Sequence, residues 1–171
     1  MNANRDIGLE RFNVADAGAS AHSLVTCLDV PRWVNDILAA RPYADRGALM
    51  KQVDSASSPL RPDEIARALQ RHPRIGDRIS GGDADARMSR SEQSGVDATD
   101  PAVKDRLTEG NHAYEAKFGQ VFLISATGLH AEEILARLDE RLTNDPAAEQ
   151  RIIERELRSI AKLRLAQLLD A

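Results

Sequence analysis

Residues 145–169 read DPAAEQRIIERELRSIAKLRLAQLL, and this stretch sets the class of the whole chain. Asp145-Pro146 is a helix-opening pair, an acid able to cap orphan N–H groups followed by a proline that loses no intrahelical bond. The helix then extends to about Leu169. Ile153, Leu157 and Ile160 fall at i, i+4 and i+7 on one face. Continuing by four lands on Arg164, in line with the apolar stripe. Two readings of that arginine stand open. Its stem packs while its head snorkels to water, or its forked donors line a pocket that takes an anion or a planar amide-rich ligand.

The same signals recur upstream. Asn13 suits the N-cap of a first helix reaching about Leu28, and Pro31 starts a second that carries Trp33, Val34, Ile37 and Leu38 and ends before Pro42. Asp45 can cap a third, with Leu49, Met50 and Val53 on one side. A loop covers Ser55 to Pro59. Pro62-Asp63-Glu64 then opens a helix that buries Ile65, Ala68 and Leu69 and runs out at His72-Pro73. Ser80 to Asp85 is the least structured stretch, and Ser89 with Glu92 has capping-box spacing. Asp100-Pro101 begins a long helix through Leu107, Tyr114 and Phe118, closed at Gly119. Val121 to Ile124 is a short apolar run, either strand-like or the start of a helix. Glu132 to about Asn144 is amphipathic. The expected fold is all-α, a single-domain bundle of about eight helices over residues 1–171.

Composition narrows the function. The formal charge of -4 and interspersed basic residues argue against nucleic acid as a partner. Aromatic residues are only 4% of the chain, so aliphatic side chains must fill the core. Cys27 is the lone cysteine, which excludes an internal disulfide and favours a reducing compartment. Residues 1–13 lack a signal-peptide core, and nowhere do about 18 apolar residues run together. A soluble, cytoplasmic protein without membrane association is expected.

Chemistry-bearing residues are few. In His72-Pro73-Arg74-Ile75-Gly76-Asp77, the proline ends a helix and restrains the residue before it, placing an imidazole rigidly at a helix-to-loop junction. Such a histidine is either a structural surface residue or a proton-transfer group. Glu92 is either the acid of a capping box or an acceptor for ligand N–H groups, with Gln93 beside it. His112 and Glu115 have helical metal-pair spacing but no third ligand in register, so no metal site is expected. Gly81-Gly82 lacks the rest of a phosphate loop, and no nucleophile elbow is present.

Taken together, Trp33, Arg41-Pro42, His72-Pro73-x-Ile75-Gly76-Asp77, Ser89-x-x-Glu92-Gln93, Asn111-x-x-Tyr114-x-x-Lys117-Phe118-Gly119, Phe122-Leu123-Ile124-x-Ala126-x-Gly128 and Leu163-Arg164-Leu165 resemble one family. It is the 2-oxo-4-hydroxy-4-carboxy-5-ureidoimidazoline (OHCU) decarboxylases of urate catabolism. The resemblance spans roughly residues 7 to 168. It implies an all-α fold, a homodimer, no cofactor, and a small ureidoimidazoline as substrate.

Carried over by position, the resemblance makes His72 the catalytic acid/base, with Pro73 beside the ligand. Ser89, Arg90, Ser91, Glu92 and Gln93 become a substrate-binding turn, in which Glu92 bonds the substrate and joins the catalytic pair. Phe122, Leu123, Ile124, Ser125 and Ala126 line the pocket, and Arg164 is the pocket arginine. Ser125 departs from relatives that carry cysteine there, which changes pocket shape without removing a catalytic group. Two other readings remain: a non-catalytic helical interaction module, and a lyase or hydrolase acting on a related ureide.

Overall fold

The computed structural model describes residues 6–96 and 100–171. Among the described residues the regular structure is helical throughout. α1 (Ile7–Val14), α2 (Ala17–Cys27), α3 (Pro31–Ala39), α4 (Arg46–Ser55), α5 (Pro62–Leu69), α6 (Ala84–Glu92), α7 (Pro101–Phe118), α8 (Ala131–Arg141) and α9 (Pro146–Asp170) follow in order. Two compact units form, Met1–Glu64 with Arg158–Ala171, and Ile65–Leu157. None of the described helices is long and apolar enough to cross a membrane.

In the first unit, helix starts follow local chemistry. Asp6, Asp16 and Asp45 each accept a hydrogen bond from the backbone N–H three residues on. The expected single helix from Asn13 to Leu28 is therefore two. Asp16, not Asn13, is the cap. Asn13 sits inside α1 and uses its amide on the backbone of Tyr43, at 2.8 and 2.9 Å. Leu24, Trp33, Ile37, Leu49 and Val53 are fully buried. α1 crosses α9 almost backbone to backbone, since a Cβ on Gly8 would lie 1.9 Å from the Leu169 carbonyl oxygen.

Cations of α9 then close the carbonyl ends of other helices. Arg158 donates to Val53 and Ala56 at the end of α4, both at 2.9 Å, and Lys162 pairs with Asp54 at 2.9 Å. Positive groups at helix C-termini meet both the orphan carbonyls and the negative end of the dipole. The loop before α5 is held by Glu64, 4% exposed, which accepts both arms of Arg32 at 2.8 and 2.9 Å and the Arg61 N–H at 2.8 Å.

The second unit packs Ile75, Val96, Leu107, Tyr114, Phe122, Ile124, Ala126, Ile134, Leu135 and Leu138 into one apolar cluster. Within it lies a buried polar network. Glu149 accepts from Arg141 Nε at 2.7 Å and Nη2 at 2.5 Å, from the Tyr114 hydroxyl at 2.5 Å, and from Asn144 at 3.1 Å. Burial, then the bond to Glu149, pushes the Tyr114 phenol above its ordinary range. Arg141 also lies 4.6 Å from the Phe122 ring centroid, within cation–π reach.

Two predictions follow from these pairs. The Arg32 guanidinium holds the Glu64 carboxyl down to about 2, below the unfolded value of about 4.3. A depressed folded-state pKa contributes stability above the unfolded pKa and loses it as pH falls. Thermal midpoints should therefore drop between about pH 5 and 2, and Glu64→Gln should flatten that profile. For the inner pair, Glu149→Leu should cost about 3–5 kcal/mol in denaturant unfolding because it strands a buried guanidinium. Arg141→Met added to Glu149→Leu should recover part of that loss.

Candidate active site

The histidine junction is built from the end of α5 outward. After Leu69 the chain tightens, with Gln70, Arg71 and His72 N–H groups bonding to carbonyls three residues back at 3.2, 3.2 and 3.0 Å. Pro73 prevents any further turn. His72 and Pro73 are half-buried. Arg74 to Asp77 then form a turn closed by Asp77 N–H to Arg74 C=O at 3.2 Å. Gly76 occupies its third position at φ 84°, and a Cβ there would come 2.8 Å from Leu107 Cδ2. The positive φ favours glycine, and any side chain here would also have to displace Leu107.

This turn is anchored on every side within its unit. The Ile75 side chain is in the apolar cluster, and its carbonyl accepts from Asn111 Nδ2 at 2.9 Å. Arg74 donates to both oxygens of Glu115, at 2.6 and 2.8 Å. That contact, then Coulombic attraction, holds the Glu115 carboxyl below its ordinary range despite partial burial. Gly76 N–H reaches Gln93 Oε1 at 3.2 Å, which ties the turn after the histidine to the end of α6.

Glu92 does not sit where capping-box spacing puts it. The cap of α6 is Asp83, whose carboxylate accepts from Ala86 N–H at 2.8 Å, and Ser89 to Glu92 form the last turn. The expected loop over Ser80 to Asp85 ends early for the same reason. Glu92 is thus a carboxylate only 9% exposed at the negative end of a helix dipole, which disfavours an anion there. Ser89, one turn back, is buried as well. Arg90 and Ser91 face solvent instead, and Arg90 donates to the Gly81 carbonyl at 2.8 Å. Gln93 is half-buried.

Residues 121–126 are neither helix nor paired strand but an irregular run. Side chains satisfy its backbone. Leu123 C=O accepts from Arg141 Nη1 at 2.5 Å, and Ser125 N–H donates to Glu156 at 2.7 Å. Phe122, Ile124 and Ala126 side chains belong to the apolar cluster, and Leu123 is buried. Any polar contact this run offers a ligand must come from its main chain or from half-buried Ser125.

Arg164 belongs to the first unit. Ile153, Leu157, Ile160 and Arg164 are all buried, the arginine to 1% exposure. Its head does not snorkel to water; Nη1 donates to the Thr26 carbonyl near the end of α2 at 2.8 Å.

In the second unit a cleft of about 490 Å³ is lined by Gly76, Arg78, Gln93, Lys104, Leu107 and Thr108, among others. Of the expected site residues it includes Arg90 and Gln93, not His72 or Glu92. Among the described residues no group of three or more His, Cys, Asp or Glu could hold a metal, and the Glu115 carboxylate is taken by Arg74. Arg74, Glu115 and Glu156 were invisible as site-building residues. Arg74 and Glu115 lie 41 positions apart, beyond any local spacing rule.

The family model for OHCU decarboxylase matches residues 13–166. The chain is 32% identical over 145 residues to the uric acid degradation bifunctional protein TTL of Arabidopsis thaliana, covering 83% of this chain but 45% of that protein. It thus spans about half the length of that relative. It is 30% identical over 136 residues, 78% of each chain, to the 2-oxo-4-hydroxy-4-carboxy-5-ureidoimidazoline decarboxylase of Amia calva. Its fold matches the crystal structure of an OHCU decarboxylase in the presence of (S)-allantoin with a TM-score of 0.70, at 24% identity, covering 92% of this chain and 100% of that one. With a match over most of its length and a fold to agree, this chain belongs to the OHCU decarboxylase family.

Proposed function

We propose that the protein decarboxylates 2-oxo-4-hydroxy-4-carboxy-5-ureidoimidazoline to (S)-allantoin without a cofactor, as a cytoplasmic homodimer in urate degradation. The observation that carries this reading is the placement in one unit of Glu92, a carboxylate only 9% exposed in the last turn of α6, and of a half-buried His72 whose backbone is held between two anchors. Carboxylates buried to that degree are uncommon, and functional sites are where they gather.

The substrate has a carboxylate and a hydroxyl on one ring carbon, beside a C=N bond that bears the ureido group. As CO2 departs, its bonding electron pair flows into that C=N bond. The substrate is its own electron sink, so the protein needs only to orient it and manage protons. An imidazole can both take and give a proton near neutral pH, which suits His72 to take the hydroxyl proton and to return one to the neighbouring carbon. Delivery to a single face gives one enantiomer. The family resemblance gives Glu92 the role of accepting from ureido and ring N–H groups, and gives Arg164 that of bonding carbonyl or carboxylate oxygens. The main chain of Phe122 to Ala126 and the Ser89 to Gln93 turn complete the polar contacts, and Pro73 packs beside the ring. Positioned acid/base catalysis contributes on the order of 10²–10⁴-fold; orientation supplies the remainder.

His72→Asn should lower kcat at least about 100-fold in an assay of freshly generated substrate, with far-UV circular dichroism unchanged. Wild-type turnover by that variant would remove His72 from the chemistry. Arg164→Lys keeps the charge but loses the fork, and should raise KM roughly tenfold with kcat little changed.

A further inference from the structure

Glu115 is not among the residues assigned to chemistry above, yet its carboxylate takes both arms of Arg74, two residues after His72. We propose that Glu115 is a positioning residue for the decarboxylation, acting through Arg74 to fix the chain that follows His72-Pro73. This rests on His72 being the acid/base.

The backbone around His72 is held from both directions. Before it, the His72 N–H is bonded to the Leu69 carbonyl at 3.0 Å at the end of α5. After it, Arg74 is gripped by α7 through Glu115, and Ile75 through Asn111. Between these anchors lies only Pro73, whose φ is fixed by its ring. The histidine therefore has little backbone freedom left. Removing the Arg74 anchor loosens the chain on one side only, without unfolding either helix.

Stability alone gives little reason for these anchors. The Arg74 and Glu115 side chains are 34% and 25% exposed, and pairs with that much solvent contact add little to folding free energy. What a bidentate pair adds is geometry, since two parallel N–H···O bonds fix the guanidinium plane. Asn111 points the same way. It is 1% exposed, and its amide oxygen is buried without a hydrogen-bond partner among the described residues. A buried orphan acceptor is destabilising, so this side chain is retained for the directed bond it makes to the Ile75 carbonyl. Such trade-offs of stability for a held geometry belong to functional sites.

Displacement of a catalytic group by about 1 Å can cost on the order of 100-fold in rate, and partial loosening should cost less. The test measures kcat, KM and thermal midpoint for Glu115→Gln, Arg74→Lys and His72→Asn on freshly generated substrate. Glu115→Gln should lower kcat roughly tenfold, with KM within about twofold and the midpoint shifted by no more than about 3 °C. Arg74→Lys, which keeps the charge and loses the fork, should do the same. Wild-type kcat in either variant overturns the proposal, as does a kcat loss that tracks an equal loss of thermal stability. If Glu115→Gln fails to fold, Arg74→Lys decides. An active His72→Asn would instead overturn the underlying assignment of His72. An inactive His72→Asn beside a normal Glu115→Gln would remove the positioning role alone.

Discussion

Buried backbone groups outside the helices are what this architecture must satisfy. A helix pairs its own N–H and C=O groups except at its ends, and a sheet pairs those of extended chain. Here an irregular run, residues 121–126, lies in an apolar cluster with no ladder beside it among the described residues. Arg141 and Glu156 take the place of a neighbouring strand. The same solution recurs at several places where chain leaves a helix. Arg41 donates to the Phe12 and Ala15 carbonyls, Arg158 to Val53 and Ala56, Arg164 to Thr26, and Asn111 to Ile75. With aromatic residues at only 4% of the chain, precision comes from these directed bonds as well as from shape.

That arrangement explains how a helical fold can hold a rigid polar site. Each bond from a buried side chain to a carbonyl fixes the chain at a point between helices. Arg141 cannot be loosened without disturbing Glu149 and Tyr114, so the segment it holds is coupled to the centre of its unit. The turn after His72 is fixed in the same manner by Asn111, Glu115 and Gln93. Rigidity of this kind suits a reaction in which the substrate carries its own electron sink and the protein must chiefly align and protonate.

Legibility in the sequence tracked the range of the interaction. Helices opened by Pro31, Asp45, Pro62, Asp100-Pro101 and Asp145-Pro146 were readable because cap and proline effects act within one turn. The all-α class and the buried stripe running into Arg164 followed from periodicity. Asn13 misled because its amide is spent on Tyr43, thirty residues away, leaving Asp16 to cap α2. Ser89 and Glu92 had the right spacing for a capping box, but Asp83 had already started the helix. That error mattered. It put Glu92 in the first turn of a helix, whereas Glu92 closes the last turn of α6. The Arg74–Glu115 contact and the side chains that replace a strand along residues 121–126 depend on tertiary meetings that no local pattern encodes.

The central claim is that this chain alone converts its substrate to one enantiomer of allantoin. The most direct measurement follows circular dichroism after urate, urate oxidase and hydroxyisourate hydrolase generate the substrate in the presence of the purified chain and a metal chelator. The account predicts a growing (S)-allantoin signal, faster than the spontaneous reaction and insensitive to the chelator. A flat trace, or allantoin that forms as a racemate at the spontaneous rate, would contradict it.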